Sequence, residues 1–458
     1  CKKPTIFRAT EQWFVSMDAA VLSDEGGGQT GLRAKALAEI KQVQWIPSWG
    51  EDRISNMVAY RSDWCISRQR VWGVPIVAFY CTHCGHILAD QRLAEHVATM
   101  IERAGADIWY TAAAADLLPP GTACPNCERT DFEKERDILD VWFDSGVSHA
   151  AVLEVRPDQR WPADMYLEGS DQHRGWFHSS LLTAVGTRGR APYRAVLTHG
   201  FVVDGEGKKM SKSLGNVVAP QEVIERYGAE ILRLWVAAED YRDDIRISEE
   251  ILKRLAEGYR RIRNTCRYLL GNLSDFQPAH DALPLNELDE IDRFILHRLG
   301  RLTERIRRAY ETCEFHLLYH SLHNFCAVDL SAFYLDVLKD RVYTSAPRSR
   351  ARRAAQTSMY QILDALVRLM APVLSFTADE VWQAMPKQGG EMESVHLAEF
   401  PPIRSSLLDE ALEAHWEDLL SVRDEVLKAL EAARKAKLIG TSLEARVDLL
   451  VEPTLLPV

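Results

Sequence analysis

Asp204-Gly205-Glu206-Gly207-Lys208-Lys209-Met210-Ser211-Lys212-Ser213-Leu214-Gly215-Asn216 is a cationic, turn-forming segment set between two regular elements. Its glycines give a mobile backbone, Lys208, Lys209 and Lys212 supply cations, and Ser211 and Ser213 can donate hydrogen bonds. Before it, the apolar run 196–203 reads as a buried strand. After it, Val223, Tyr227, Ile231, Leu234 and Trp235 recur at helical spacing. A flexible cationic loop in that position can close on a triphosphate and neutralise the charge that builds on departing pyrophosphate. By charge alone the segment is a solvated surface turn; the whole string in its strand–loop–helix setting reverses that choice.

Working outward, residues 1–80 have a mixed α/β texture. Leu32, Ala36, Leu37 and Ile40 predict a helix over 32–43 that Pro47 stops, and 73–80 reads as a buried strand. Cysteines and Pro119-Pro120-Gly121 interrupt this texture over 81–136, which marks an inserted module. The α/β pattern returns over 137–247, with a turn-rich 140–146, a strand-like 165–167 and a helical 176–185. From Ser248 onward strand signals nearly vanish. Ile291, Ile295, Leu299, Leu302 and Ile306 mark one amphipathic helix; Ile362, Leu363, Leu366, Leu369 and Met370 mark another, ended by Pro372. Thr377 with Glu380 reads as a capping box for the next helix. The expected architecture is an α/β Rossmann-type half with an inserted module, followed by an all-α helical bundle.

Bulk properties agree with a multidomain globular chain. At 458 residues, 47% hydrophobic and 26% charged, two to four domains with full-sized cores are expected. A net charge of −11 argues against a protein that coats nucleic acid indiscriminately, although a specific RNA partner needs only a local basic patch. Two such clusters occur in the helical part: Lys253, Arg254, Arg260, Arg261, Arg263 and Arg267, then Arg341, Arg348, Arg350, Arg352 and Arg353. No apolar run is long enough to span a bilayer and no leader precedes Cys1, so a soluble protein is expected. The opening Cys1-Lys2-Lys3-Pro4 without methionine, and a strand-like 447–451 near the end, suggest a piece of a larger protein.

Cys81-Thr82-His83-Cys84 and Cys124-Pro125-Asn126-Cys127 are two CxxC hooks with 39 residues between them. Four thiolates in paired hooks suit tetrahedral zinc. A redox role would need only one hook, so one structural zinc per chain is expected on Cys81, Cys84, Cys124 and Cys127, with no ligand place left open for catalysis. The remaining cysteines are scattered, which fits a reducing compartment.

Glu168-Gly169-Ser170-Asp171-Gln172-His173-Arg174-Gly175-Trp176-Phe177 follows directly on Met165-Tyr166-Leu167. A strand that ends in glycine and polar residues before a helix is where open α/β sheets place ligands. Glu168 could pair with an α-ammonium, and Asp171 and Gln172 could reach ribose or adenylate hydroxyls. Ser170 or Asp171 would equally serve as an ordinary helix N-cap.

The 209–213 string resembles the KMSKS loop of class I aminoacyl-tRNA synthetases. The 168–177 string is similar to the adenylate-binding segment of the isoleucine enzymes in the Ile/Val/Leu subgroup. Asp140-Val141-Trp142-Phe143-Asp144-Ser145-Gly146 and Asp63-Trp64-Cys65-Ile66-Ser67-Arg68-Gln69-Arg70-Val71-Trp72-Gly73-Val74-Pro75-Ile76 point to the same branch; valine enzymes carry Thr-Trp-Phe-Ser-Ser in place of the former. The resemblance implies ATP-dependent activation of L-isoleucine to isoleucyl-adenylate and transfer to tRNA(Ile), with Mg2+ accompanying ATP. It implies catalytic roles for Lys209, Ser211 and Lys212, and ATP or adenylate contacts from Glu168, Gly169, Asp171 and Gln172 with Lys209, Met210, Ser211, Lys212 and Ser213. Trp142 and Trp176 would wall the amino-acid pocket. The family is usually a cytoplasmic monomer.

The same resemblance implies four regions. Residues 1–46 return from an editing insertion, and 47–200 form the second half of the Rossmann-type domain with a zinc-knuckle insertion at about 80–136. Residues 201–250 carry the KMSKS loop and a stem-contact region, and 251–458 form the anticodon-binding bundle. His83-Cys84-Gly85-His86 fits the family's other signature, HxGH, but it includes an expected zinc ligand and is rejected. The chain is therefore expected to be a fragment lacking the HxGH part and most of the editing domain, inactive alone, with Cys1 the remnant of a further CxxC. A valine- or leucine-specific relative and a catalytically incomplete tRNA-binding fragment are the alternatives.

Overall fold

Helix α1 (Leu32–Ile40) buries Leu32, Ala36 and Ile40, the face that their spacing predicts. It ends at Ile40, short of 43, because the chain turns there into strand β1 (Gln44–Ile46), and Pro47 follows the strand instead of stopping the helix. Helix α2 (Trp49–Ala59) comes next. Strand β2 (Ala163–Gly169), helix α3 (Trp176–Arg188) and strand β3 (Tyr193–His199) complete the central layer of the first of two units, Cys1–Phe201 and Val202–Val458. The molecule is seen as a computed structural model that describes residues 4, 9–20, 22–23 and 28–450. Residues 1–3, with Cys1, residues 5–8 and the last residue of the 447–451 run lie outside the described residues.

The sheet order is β2–β3–β1, parallel throughout, with Tyr166 opposite Val196 and Val196 opposite Trp45. Parallel strands must be covered, and here Tyr166, Tyr193 and Val196 pack with Phe177, Leu181 and Val185 of α3, and with residues of α1 and α2. The expected turn at 140–146 is instead a short helix, Val141–Gly146, started by the Asp140 side chain, which accepts from the Trp142 N–H at 2.7 Å.

The inserted module has its own small core of Phe79, Leu93, Val97, Trp109, Leu117 and Leu118. Strand Phe79–Cys81 lies at its centre, antiparallel to Ile87–Leu88 on one side and to Phe132–Lys134 on the other. Only the last part of the expected 73–80 strand is regular; before Phe79 the pairing with 135–139 is interrupted, with an isolated bridge from Pro75 to Ile138 and single bonds at Val74, Ile76 and Ala78.

In the second unit, strand β4 (Val202–Asp204) is separated from β3 by Gly200 and Phe201, so the expected single strand over 196–203 is broken. The expected helix through Val223 and Trp235 is likewise two, α4 (Pro220–Tyr227) and α5 (Ala229–Ala238), parted at Gly228 with φ 88°. Strand β5 (Ile245–Ile247) pairs parallel with β4, and no strand follows it among the described residues. Helices α6 (Glu249–Asn272), α7 (Glu290–Glu311), α8 (Arg350–Met370), α9 (Ser375–Ala384) and α10 (Glu410–Lys435) then build the bundle. Thr377 is inside α9, and no capping box starts that helix. The carboxylate of Glu230 on α5 takes its place, accepting from the N–H groups of Phe376 (2.9 Å) and Thr377 (3.0 Å). Among the described residues no helix is long and apolar enough to cross a membrane.

Inside the bundle the Asp292 carboxylate is fully buried; it accepts from Tyr334 Oη (2.7 Å) and from both Nη atoms of Arg341 (2.8 and 3.2 Å). Removing one member of such a cluster leaves charge and hydroxyl without partners. Asp292→Ala is therefore expected to lower stability by about 3 kcal/mol, read from urea unfolding of the second unit's fluorescence or circular dichroism.

Candidate functional site

The 204–216 loop is held from its two ends. Asp204 Oδ1 accepts from the N–H groups of Glu206 (3.0 Å) and Lys208 (2.8 Å), and Gly207 takes φ 83° to close that turn. Asn216 bridges the other side: its Oδ1 accepts from Ser211 N–H (2.9 Å), and its Nδ2 donates to Asp204 Oδ2 (2.8 Å) and to the Lys209 carbonyl (3.3 Å). The Asn216 amide, helped by the Lys208 N–H, holds the Asp204 carboxyl below its ordinary range. Ser211 and Ser213 share a hydroxyl hydrogen bond at 3.1 Å, and Met210 packs against the core of Val223, Ile231 and Trp235. Lys208 pairs with Glu206 at 2.7 Å, whereas Lys209 and Lys212 are exposed without a carboxylate partner among the described residues. The loop thus presents two available ammonium groups on a backbone pinned by side-chain hydrogen bonds. Asp204 and Asn216 went unrecognised in the sequence as positioning residues. The signal was there: Asn after Gly215 is a turn residue able to bond the backbone.

Gly169 ends β2 at the carboxyl edge of the parallel sheet, which puts Glu168 and Asp171 at the usual ligand side of such a sheet, both exposed. Gln172 Oε1 accepts from Trp176 N–H at 2.9 Å and its Nε2 donates to Asp171 Oδ2 at 3.1 Å. Gly175 is required by crowding: a Cβ there would stand 2.5 Å from Gln172 Oε1 and 2.9 Å from the Trp142 ring. The structure therefore brings Trp142 against the 172–175 turn. Trp176 turns inward, stacking on Tyr166 at 4.0 Å and donating from Nε1 to the Ser145 carbonyl and Ser148 Oγ, both at 3.1 Å. A cavity of about 990 Å³, lined by Trp142 with Trp72, Val74 and Tyr110, opens beside it; Glu168, Asp171, Gln172 and Trp176 do not line it. Desolvation, with the nearby Asp140 charge, raises the Asp144 carboxyl.

The two CxxC hooks share one backbone plan. Cys81 N–H donates to the His86 carbonyl (2.9 Å) and Gly85 N–H to the Cys81 carbonyl (2.9 Å). The second hook repeats this with Cys124 to Arg129 (2.8 Å) and Glu128 to Cys124 (2.8 Å). Both hooks need a left-handed residue at the fourth step, Gly85 at φ 71° and Glu128 at φ 59°. The four Sγ atoms lie within 4.8 Å of one another, with Cys81–Cys127 at 3.5 Å and Cys84–Cys124 at 3.6 Å. Sulfur atoms about 2.3 Å from a tetrahedral ion stand about 3.8 Å apart, so this set could hold a metal ion such as zinc. The Asn126 side chain and the His86 backbone N–H pull the Cys84 thiol down to about 6.

The basic clusters divide sharply. Arg341 is committed to Asp289 and Asp292, Arg352 to Asp275, Arg353 to Asp275 and Asp281, and Arg350 to Glu287. On α6, Lys253 pairs with Glu249 and Arg263 with Glu380. Arg254, Arg260, Arg261 and Arg267 are exposed and carry no ion pair among the described residues.

Residues 1–248 match the family model of tRNA synthetases class I (I, L, M and V), and 292–449 match that of the anticodon-binding domain of tRNA ligase. The chain belongs to the class I tRNA synthetases. It is 63% identical over 456 residues to the isoleucine–tRNA ligase of Geobacter sulfurreducens, covering 100% of this chain and 48% of that protein. The isoleucine–tRNA ligase of Syntrophotalea carbinolica is 62% identical, over 98% of this chain and 47% of its own. This synthetase chain thus spans about half the length of the curated relatives it matches. Solved structures share its fold at low identity. Mycobacterium tuberculosis methionyl-tRNA synthetase with methionyl-adenylate has TM-score 0.56 at 18% identity, over 81% of this chain and 67% of that one. The ternary LeuRS–tRNA–LeuAMS complex of Agrobacterium radiobacter K84 has TM-score 0.55 at 20% identity, over 76% of this chain and 43% of that one.

Asn216→Ala is expected to release the synthetase's 204–216 loop without unfolding its surroundings. Amide exchange of residues 208–214 should accelerate about tenfold, the worth of one to two lost hydrogen bonds, with the melting transition nearly unmoved.

Proposed function

We propose that this chain serves isoleucine–tRNA ligation in a cytoplasmic, monomeric enzyme that activates L-isoleucine with ATP and passes it to tRNA(Ile). The observation that carries the reading is the 209–213 loop, with Lys209 and Lys212 unpaired on a backbone held by Asn216 and Asp204. High identity to isoleucine–tRNA ligases supports the choice of amino acid.

In the first step an α-carboxylate oxygen of isoleucine attacks the α-phosphorus of ATP and pyrophosphate leaves. No side-chain nucleophile is needed, so alignment and charge stabilisation supply the rate. Lys212 is the chief cation on the departing pyrophosphate, while Lys209, Met210, Ser211 and Ser213 order the loop around it. Glu168, Gly169, Asp171 and Gln172 hold the adenylate, and Trp142 and Trp176 wall the side-chain pocket. Mg2+ bound with ATP adds neutralising charge at the phosphates. In the second step a ribose hydroxyl at the tRNA terminus attacks the carbonyl carbon and AMP leaves. Arg254, Arg260, Arg261 and Arg267 on α6 contact tRNA phosphates, which positions the RNA without reading its sequence. One zinc on Cys81, Cys84, Cys124 and Cys127 clamps the inserted module.

The test is amino-acid-dependent ATP–pyrophosphate exchange by the intact protein. Isoleucine should support exchange, and Lys212→Ala should cut kcat by about 100-fold or more with little change in the isoleucine KM. Exchange with leucine or valine but not isoleucine would sink the reading. The 458-residue chain alone is expected to bind tRNA without exchange; adenylate synthesis by it would overturn that part. Freshly purified protein should hold one zinc per chain by atomic emission, lost in Cys124→Ser together with the module's thermal stability, and a zinc-free preparation would refute the metal assignment.

A further inference from the structure

On the first unit, a cleft of about 870 Å³ runs between α2 and the start of α3. Four arginines line it, Arg53, Arg61, Arg68 and Arg174, against two carboxylates, Asp63 and Asp140. Both carboxylates are already engaged. Asp63 Oδ1 accepts from Met17 N–H at 2.9 Å, and Asp140 pairs with Arg68 while accepting from Trp142 N–H. The other three guanidinium groups have no carboxylate partner among the described residues. Arg53 lies 5.8 Å from the Trp49 ring and Arg61 5.4 Å from the Trp64 ring, and Arg61 Nε is buried without an acceptor. In the lining beside them is His178, 2% exposed, with neither Nδ1 nor Nε2 hydrogen-bonded.

Buried polar groups without partners are rare in folded proteins and call for a ligand or a bound solvent molecule. Here the unmet buried groups are the His178 imidazole and Arg61 Nε, and the exposed guanidinium groups of Arg53 and Arg174 line the same cleft. A fork–fork donor set matches a tetrahedral oxyanion, and the excess of cations favours one that carries more than a single charge. We propose that this cleft is an anion site for a phosphoryl group, bound by Arg53, Arg61 and Arg174 with His178 donating one ring N–H. The space exceeds what a bare phosphate fills, so the phosphoryl group arrives attached to a nucleotide or as part of an RNA backbone. Burial, reinforced by Arg61 and Arg174, pushes His178 down to about 4. A phosphate dianion offsets those two cations and raises the imidazole.

The test is calorimetry and imidazole ¹H–¹⁵N NMR on the 458-residue chain, titrated with sodium pyrophosphate, AMP and a short RNA duplex. Saturable pyrophosphate binding is expected, with the His178 ring signals, assigned through His178→Gln, moving on the same curve. Arg53→Gln, Arg61→Gln and Arg174→Gln should each weaken binding about tenfold, while Arg103→Gln, outside the cleft, should not. AMP competing with pyrophosphate where RNA does not marks a nucleotide site; RNA displacing pyrophosphate marks a backbone contact. Absence of saturable binding, or unmoved His178 signals in the wild-type chain, would overturn the proposal whatever the variants do. Binding unchanged in folded glutamine variants would overturn it as well.

Discussion

Parallel pairing of β3 with both β2 and β1 is the constraint on which the first unit depends. Once Val196 lies between Tyr166 and Trp45, the register fixes which end of each strand faces which way. All three strands then finish on one edge, where Gly169 and His199 stand side by side. The 168–176 segment inherits its position from that edge. Its polar residues need no pocket of their own to be exposed there, since the sheet has already delivered their backbone to the surface.

Much of this was legible in the sequence because the signals were periodic. Leu32, Ala36 and Ile40 gave α1, and Ile295, Leu299, Leu302 and Ile306 gave the buried face of α7. The errors have local physical causes. Gly228 parts α4 from α5 because it adopts a positive φ, and glycine inside an apolar pattern does not announce which conformation it will take. The strand through 196–203 breaks at Gly200-Phe201 for lack of a continuous partner, a property of the sheet and not of the run.

The candidate sites divide in the same way. The paired cysteine hooks were readable because ligand type and spacing carry the geometry with them. Trp142 was singled out only through the family resemblance of the 140–146 string, and its seat against Gly175 depends on contacts 33 positions apart. The arginines show the reverse lesson. The Arg341–Arg353 cluster looks like an RNA surface in the sequence, yet four of its members are drawn into ion pairs with Asp275, Asp281, Glu287, Asp289 and Asp292. Charge counting along a chain cannot see acidic partners that folding brings from elsewhere. Arg254, Arg260, Arg261 and Arg267 of α6 stay available because, among the described residues, folding brings no carboxylate within ion-pairing distance of them.

The cap on α9 has a kinetic consequence. Helices α6, α8 and α10 are each started by a side chain immediately before them, Ser248, Ser349 and Asp409, so their first turns can nucleate locally. Helix α9 borrows its starter from Glu230, 146 positions earlier. Its first turn therefore gains its partner only after a long loop has closed, and it loses that partner as soon as α5 leaves. Sequence-distant elements are thereby bound into one melting event, and the segment that carries the lysine loop shares the fate of the bundle.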